Sequence, residues 1–344
     1  MPGLFLSPSS IDDPSPSAPA RIFCPRTYEI AFFMPFWNQG GMLWRWYVFA
    51  IGVDAGGMVT GEERPIKPFL EEAGSPYSSF EALGSTLYCL GRGSDVFKRE
   101  VNGPTTDDWI RCPSMNIPRG RPHKLVLGSK LYVLGTDFRS KVFYAEVFDP
   151  VTNKWLVLAE PPYKMARGYK ISAALENPNR ILVTSQVPPV PGDYSGNISA
   201  IFFVYDVGHG YWKMLEPAQR KIHPKCPLGA PRGTARAVAN FLYWITDGCE
   251  LLCYDLDLDV WLLGHLDGIL FPEYCMFNPG FVHLENHRFC ILQCPPGSGV
   301  CHYVHCNIID VTHIHEEESL SVSVVWSCKF KTEDPTTIRE CFLL

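Results

Sequence analysis

Six thiol and imidazole side chains crowd one stretch of this chain, FCILQCPPGSGVCHYVHC: Cys290, Cys294, Cys301, His302, His305 and Cys306. Soft donors at that density suit zinc. Read as two strands about a PPGSG turn, however, Cys290 and Cys294 share one face. Cys301 and His305 share another, and His302 and Cys306 point the opposite way. Four ligands would converge only if one face of each strand met, and the spacing matches neither paired Cys-x2-Cys nor a Cys2His2 pattern. The reading is no metal and no cofactor. His313 and His315, followed by Glu316, Glu317 and Glu318, read as an exposed edge or loop. Carboxylates at regular spacing invite an acid–base reading: Asp149, Asp206 and Asp255 each stand six positions before a tryptophan, Trp155, Trp212 and Trp261. Three copies at equal positions argue for structure instead. An Asp that opens a turn accepts backbone N–H bonds, and a Trp wedges between neighbouring units. No GxSxG, P-loop, HExxH or GxGxxG signature occurs, so the chain is read as non-enzymatic.

The remaining chemistry is arginine beside glycine. IPRGRPHK holds Arg119 and Arg121, MARGYK holds Arg167, and APRGTAR holds Arg232 and Arg236. Guanidinium forks bind carboxylates bidentately, so each of these either meets a partner or pairs with an acid of a neighbouring unit. The long loop VPPVPGDYSGN, Val187 to Asn197, is a second candidate for recognition, because specificity lives in loops.

These residues ride on a repeat. FYAEVFDPVTNKWLVLAEPP (Phe143 to Pro162) reads as strand, Asp-Pro turn, strand, and the frame recurs as VYDVGHGYWKML and CYDLDLDVWLLG. A fourth, degenerate copy keeps Trp109 but has Gly103 at the Asp position. Ahead of each copy lies a further hairpin, as in FEALGSTLYCLGRG, KLVLGSKLYVLGTD and AVANFLYWITDG. A unit thus holds four antiparallel strands, and stacking such units round an axis buries the apolar face that none can bury alone. Five clear units and an irregular first one give six blades as the best count. The units run over about 27–77, 78–122, 123–168, 169–234, 235–279 and 280–332, within a folded region of 27–335. The Ser/Pro-rich residues 1–26 read as a disordered tail and 336–344 as a second tail.

LGSKLYVLG followed by VFDPVTNKW is similar to a kelch repeat in its strand-ending Gly, the Tyr before it and the spaced Trp. Across residues 80–330 the chain resembles plant kelch-repeat proteins, especially the propeller half of F-box/kelch proteins. The family's paired glycines appear only as single Gly91 and Gly135, and the fourth and sixth units have none there. The resemblance implies an all-β kelch-type β-propeller that binds a protein partner, with the arginines rimming a central funnel where acidic peptides dock. Arg119, thirteen residues before Tyr132, fits that place best. Substrate recognition in a ubiquitin-ligase pathway follows as the first expectation. A scaffold unconnected to ubiquitin is the alternative, and a galactose-oxidase-like enzyme the third. No helical periodicity marks an F-box in residues 1–60.

Composition agrees with a folded all-β chain: 344 residues, 46% hydrophobic, 19% charged, 30 prolines. A net charge of −6, with no basic tract interleaved with aromatics, excludes a nucleic-acid footprint. The apolar run Tyr28 to Val53 is broken by Pro35, Asn38, Gln39, Gly40, Gly41 and Arg45, so it reads as two strands and not as a membrane span. Thirteen scattered cysteines without a secretory leader fit reduced thiols in the cytoplasm or nucleus of a monomeric protein.

Overall fold

A computed structural model describes residues 26–38, 40–54, 57–61, 65–73, 78–91, 93–101, 108–119, 122–136, 143–161, 169–187, 198–217, 219–228, 233–269, 279–294, 303–332 and 338–344. Among these residues the structure is all-β, with a single 3-10 turn at His315–Glu317. The first unit begins with β1 (Arg26–Asn38) and β2 (Gly41–Val53), followed by the short β3 (Val59–Thr60) and β4 (Leu70–Ala73), both paired to β2. The second unit is β5 (Ser79–Leu83), β6 (Thr86–Leu90), β7 (Val96–Glu100) and β8 (Ile110–Cys112). The third is β9 (His123–Leu127), β10 (Lys130–Thr136), β11 (Phe143–Asp149) and β12 (Lys154–Val157). The fourth is β13 (Tyr169–Leu175), β14 (Arg180–Gln186), β15 (Ile198–Asp206) and β16 (Tyr211–Met214), with β17 (Arg220–Ile222) added to β15. The fifth is β18 (Arg236–Val238), β19 (Phe241–Ile245), β20 (Glu250–Asp255) and β21 (Val260–His265). The sixth is β22 (Gly280–Glu285), β23 (Arg288–Gln293), β24 (Tyr303–Ile314) and β25 (Ser319–Lys331).

Every unit is an antiparallel meander. The fifth and sixth are joined by one parallel pair, Leu263↔Ser319. Gly264 permits that approach, since a Cβ there would lie 2.8 Å from the Leu320 Cβ.

The chain's last residues depart from their reading as a tail. They form β26 (Glu340–Leu343), which pairs with β1 from Ile30↔Leu343 to Phe33↔Glu340. The first unit is therefore assembled from both ends of the chain. Phe342 is buried against Phe33 and Trp46, with ring centroids 6.5 Å and 6.3 Å away. Apolar burial of that kind holds the closing strand far better than four residues of ladder could alone.

The innermost strands, β26, β5, β9, β13, β18 and β22, lie beside one another in turn, and β22 returns to β26. The core is correspondingly divided into six clusters, one at each junction. This explains the apolar run at Tyr28–Val53. Ile30, Phe32 and Met34 face the sixth unit while Phe33, Trp44 and Trp46 face the second. A strand buried on both faces is apolar throughout instead of alternating.

Candidate functional site

The repeated Asp and Trp side chains occupy matching places. Asp149 Oδ1 accepts the amides of Val151 and Thr152, 2.9 and 3.3 Å; Asp206 Oδ1 accepts that of His209, 2.9 Å; Asp255 Oδ1 accepts those of Asp257 and Leu258, 2.9 and 3.1 Å. Each carboxylate thus closes its own turn. The Lys130 ammonium holds the Asp149 carboxyl below its usual range, and the His209 amide does the same for Asp206.

Each indole N–H reaches back to the preceding unit. Trp155 donates to Pro113 O at 2.8 Å, Trp212 to Ala159 O at 2.7 Å and Trp261 to Lys221 O at 2.9 Å. Trp109, in the degenerate copy, donates to the Glu72 carboxylate, which also takes the Trp46 N–H. Removing one such tie has a readable cost. Trp212→Phe is expected to lose about 1–2 kcal/mol from the hydrogen bond and the vacated indole volume. Urea unfolding at unchanged m-value measures it.

The arginines separate into different roles. Arg119 does not rim a funnel: its side chain is 0% exposed. Arg119 Nη1 lies 2.5 Å from Glu146 Oε1 on β11, and Glu146 also accepts Asn116 N, Asn116 Nδ2 and Ile117 N. It bolts the second unit to the third, so a docking partner does not touch it. Two arginines outside the sequence reading act alike. Arg220 joins the fourth unit to the fifth through Tyr254 Oη and Leu256 O, 2.7 and 3.2 Å. Arg288 joins the sixth to the first, bidentate on Asp310 at 2.6 and 2.8 Å and donating to Gly57 O at 2.9 Å. Arg121, Arg167, Arg232 and residues 188–197 of the long loop lie outside the described residues.

Arg236 is the other expected arginine among the described residues. It opens β18, is half-buried, and donates from Nε to Phe281 O of β22 at 2.9 Å. The other innermost strands bring charge to the same region. Lys124 of β9 donates to Phe80 O of β5 and to Glu340 Oε2 of β26, the latter at 2.8 Å. Glu81 of β5 is close enough to Lys124, Arg236 and Glu340 to feel all three charges. Its carboxyl is raised chiefly by burial, with the two cations pulling the other way.

Beside Lys124, His123 is buried. Its Nδ1 lies 2.6 Å from Ser172 Oγ and 3.1 Å from Thr234 Oγ1, tying the third unit to β13 and to the segment that leads into β18. Burial, then the Lys124 charge, lowers its pKa to about 3. Burial likewise lowers the pKa of His283 of β22, whose Nε2 lies 2.8 Å from Asn286 O. Six strands thus contribute one polar cluster.

Sequence reasoning missed Glu81, Lys124 and Glu340 as site residues. Their signal was a charge near the start of an otherwise apolar strand, in FEAL, HKLVL and ECFL.

The cysteine- and histidine-rich stretch reads differently in three dimensions. Cys290 and Cys306 are buried, with sulfurs 3.5 Å apart, in the core between the sixth and first units, where Cys328 and Cys341 also lie. Burial and the neighbouring thiols push Cys306 well up, the condition of an inert structural thiol. Cys301 and His302 lie outside the described residues. No group of three His, Cys, Asp or Glu among the described residues is arranged to hold a metal ion.

His313 is not on an open edge. It stacks on Phe241 with centroids 4.0 Å apart, its Nε2 is 2.5 Å from Tyr243 Oη, and burial lowers its pKa to about 4. His315 is exposed, 3.8 Å from Asp255 Oδ2.

No family model matches the chain. An F-box/kelch-repeat protein of Arabidopsis thaliana is 34% identical over 102 residues, 25% of this chain and 25% of the relative. A second, from the same plant, is 26% identical over 183 residues, 51% of this chain and 42% of the relative. The chain thus spans from about a quarter to two fifths of the length of these curated relatives. Among solved structures, TolB of Acinetobacter baumannii matches at 12% identity with a TM-score of 0.48, over 92% of this chain and 66% of that one. A chain of a nidogen/laminin complex matches at the same identity and TM-score, over 92% and 98%. Those likenesses are too weak to define the fold. By sequence, over part of its length, the chain is similar to plant F-box/kelch-repeat proteins.

Proposed function

We propose that this chain is a six-bladed kelch-type propeller whose axial face binds a protein partner through an acidic segment, without catalysis. The observation that carries the reading is the axial cluster itself: side chains from all six innermost strands meet, and most are already paired to each other. Lys124 with Glu340 and His123 with Ser172 and Thr234 are satisfied contacts that shape a surface. His123 and the Ser172 hydroxyl do touch, but both are buried and the imidazole pKa is lowered to about 3, which makes it a poor base for that hydroxyl. Arg236 keeps the open donors that a partner's carboxylate needs.

The likeness to F-box/kelch-repeat relatives supports binding of a protein partner; substrate recognition in a ubiquitin-ligase pathway, by a monomer acting in the cytoplasm or nucleus, is the finer form of this proposal. Affinity capture with mass spectrometry, run on wild type and on folded Arg236→Gln, tests both levels. Partners held by wild type and lost from the variant are expected, and ubiquitin-ligase subunits among them would support the pathway. Partners that persist unchanged in the variant would move recognition off the axis.

A further inference from the structure

Two imidazoles converge on one phenol where the fifth unit packs on the sixth. Tyr243 of β19 is fully buried, and its Oη lies 2.8 Å from His287 Nδ1 and 2.5 Å from His313 Nε2. His287 sits in the turn between β22 and β23, and His313 lies near the end of β24. Both are half-buried, so the two rings connect the phenol to solvent. Phe241 fixes them: it stacks on His313 with planes 11° apart and meets His287 edge-on, centroids 5.6 Å away. A buried hydroxyl is satisfied by one good partner. This one has two imidazoles, and a third, His315, stacks beyond His313 at 5.9 Å.

The geometry points to a divalent transition-metal site, suited best to zinc, formed by His287 Nδ1, His313 Nε2 and Tyr243 Oη. Two nitrogens and an oxygen are a borderline donor set, and three protein ligands leave a fourth tetrahedral position for water or His315. Bonds of about 2.0–2.1 Å at tetrahedral angles place ligand atoms about 3.3 Å apart, so binding separates each nitrogen from Oη by less than about 1 Å. Because the third donor is a phenol, no trio of His, Cys, Asp or Glu marks the place among the described residues.

The ion bonds to each imidazole lone pair and to the phenol oxygen, whose O–H breaks and gives its proton to water. No oxidant or reductant takes part. Burial lowers the His313 pKa to about 4, so protons do not compete for it at neutral pH. Burial pushes the Tyr243 phenol up, and a dication against the oxygen offsets that cost. The surroundings are acidic. Asp255 Oδ2 lies 3.8 Å from His315 Nε2, and Glu316, Glu317 and Glu318 are exposed beside it. Such a field draws cations and opposes anions. None of these residues belongs to the axial cluster, so the site is independent of the partner-binding reading.

The test uses the full chain at about pH 8, above the ordinary imidazole range, with Zn2+ followed by calorimetry and Co2+ by its visible spectrum. Wild type is expected to take one ion, release one proton with it, and show intense tetrahedral Co2+ bands without thiolate charge transfer. His287→Asn and His313→Gln are each expected to weaken Zn2+ binding by more than the roughly 10–100-fold that outer-shell changes cost. Tyr243→Phe keeps the ring and is expected to abolish proton release while weakening binding. Zn2+ is expected to raise the Tm of wild type and leave that of His313→Gln unmoved.

Undiminished binding in both histidine variants overturns the site, and so does a wild type that takes up no ion. Proton release that persists in Tyr243→Phe removes the phenol from the ligand set. A thiolate band sinks the assignment by placing the ion on the cysteine-rich stretch. The wild-type spectrum and proton count need no variant, so a substitution that fails to fold does not shelter the idea.

Discussion

Arg119→Met is expected to cost about 3–5 kcal/mol, the range for removing one partner of a buried ion pair. Glu146 is 0% exposed and its carboxylate sits 2.5 Å from Arg119 Nη1. Without the arginine it keeps the Asn116 and Ile117 donors but becomes an uncompensated charge with no route to water. The pair is expensive even when intact, because Arg119 Nε and Nη2 are buried without acceptors. A double variant, Arg119→Met with Glu146→Gln, should therefore recover most of the loss. The Gln carbonyl still accepts from the Asn116–Ile117 backbone and no charge remains buried. Urea unfolding of the four proteins of this cycle measures the coupling. If the double variant is as unstable as the single one, the guanidinium acts through packing alone and the charge argument fails.

The same residue shows what could and could not be read from the chain. Arg119, Arg167 and Arg232 each follow a short apolar or Pro-containing step and precede Gly, so local sequence treats them as equals. What separates a bolt from a binding residue is an acid brought in from elsewhere. Glu146 is 27 residues away on an outer-half strand, and nothing near Arg119 announces it. The Asp and Trp frames were legible because turn closure is local and the Trp acceptor lies at a constant structural step back, in Pro113, Ala159 and Lys221. The closing strand was not. Four residues, ECFL, are too short for periodicity to speak, and the strand is fixed by Phe33 and Trp46 some 300 positions earlier in the chain. The axial charges failed for a related reason. A lone Glu81 or Lys124 in an apolar strand looks like an exposed edge until a ring places six such strands side by side. Repeats disclose what each unit does for itself, and conceal what the units do together.

His123→Gln is expected to protect the fold against acid. The wild-type imidazole is 2% exposed, lies beside the Lys124 ammonium and has its pKa lowered to about 3. In the unfolded chain it titrates near 6.5, so above that pH both states are neutral and its contribution is complete. As pH falls from 6.5, the unfolded state gains a proton that the folded state refuses, and stability drops towards the folded pKa. At about 1.36 kcal/mol per unit the loss reaches roughly 4–5 kcal/mol near pH 3. Other buried histidines and the depressed carboxylates of Asp149 and Asp206 add to acid lability in both proteins, so the difference between wild type and variant isolates His123. Gln keeps a polar group for the Ser172 and Thr234 hydroxyls, which limits the cost of the substitution at neutral pH to about 1–2 kcal/mol. Urea midpoints taken from pH 7 to pH 4 should then converge and cross, with the variant the more stable below the crossing. Curves that stay parallel would mean that the imidazole protonates in place, and that the surroundings of His123 admit water that its burial denies.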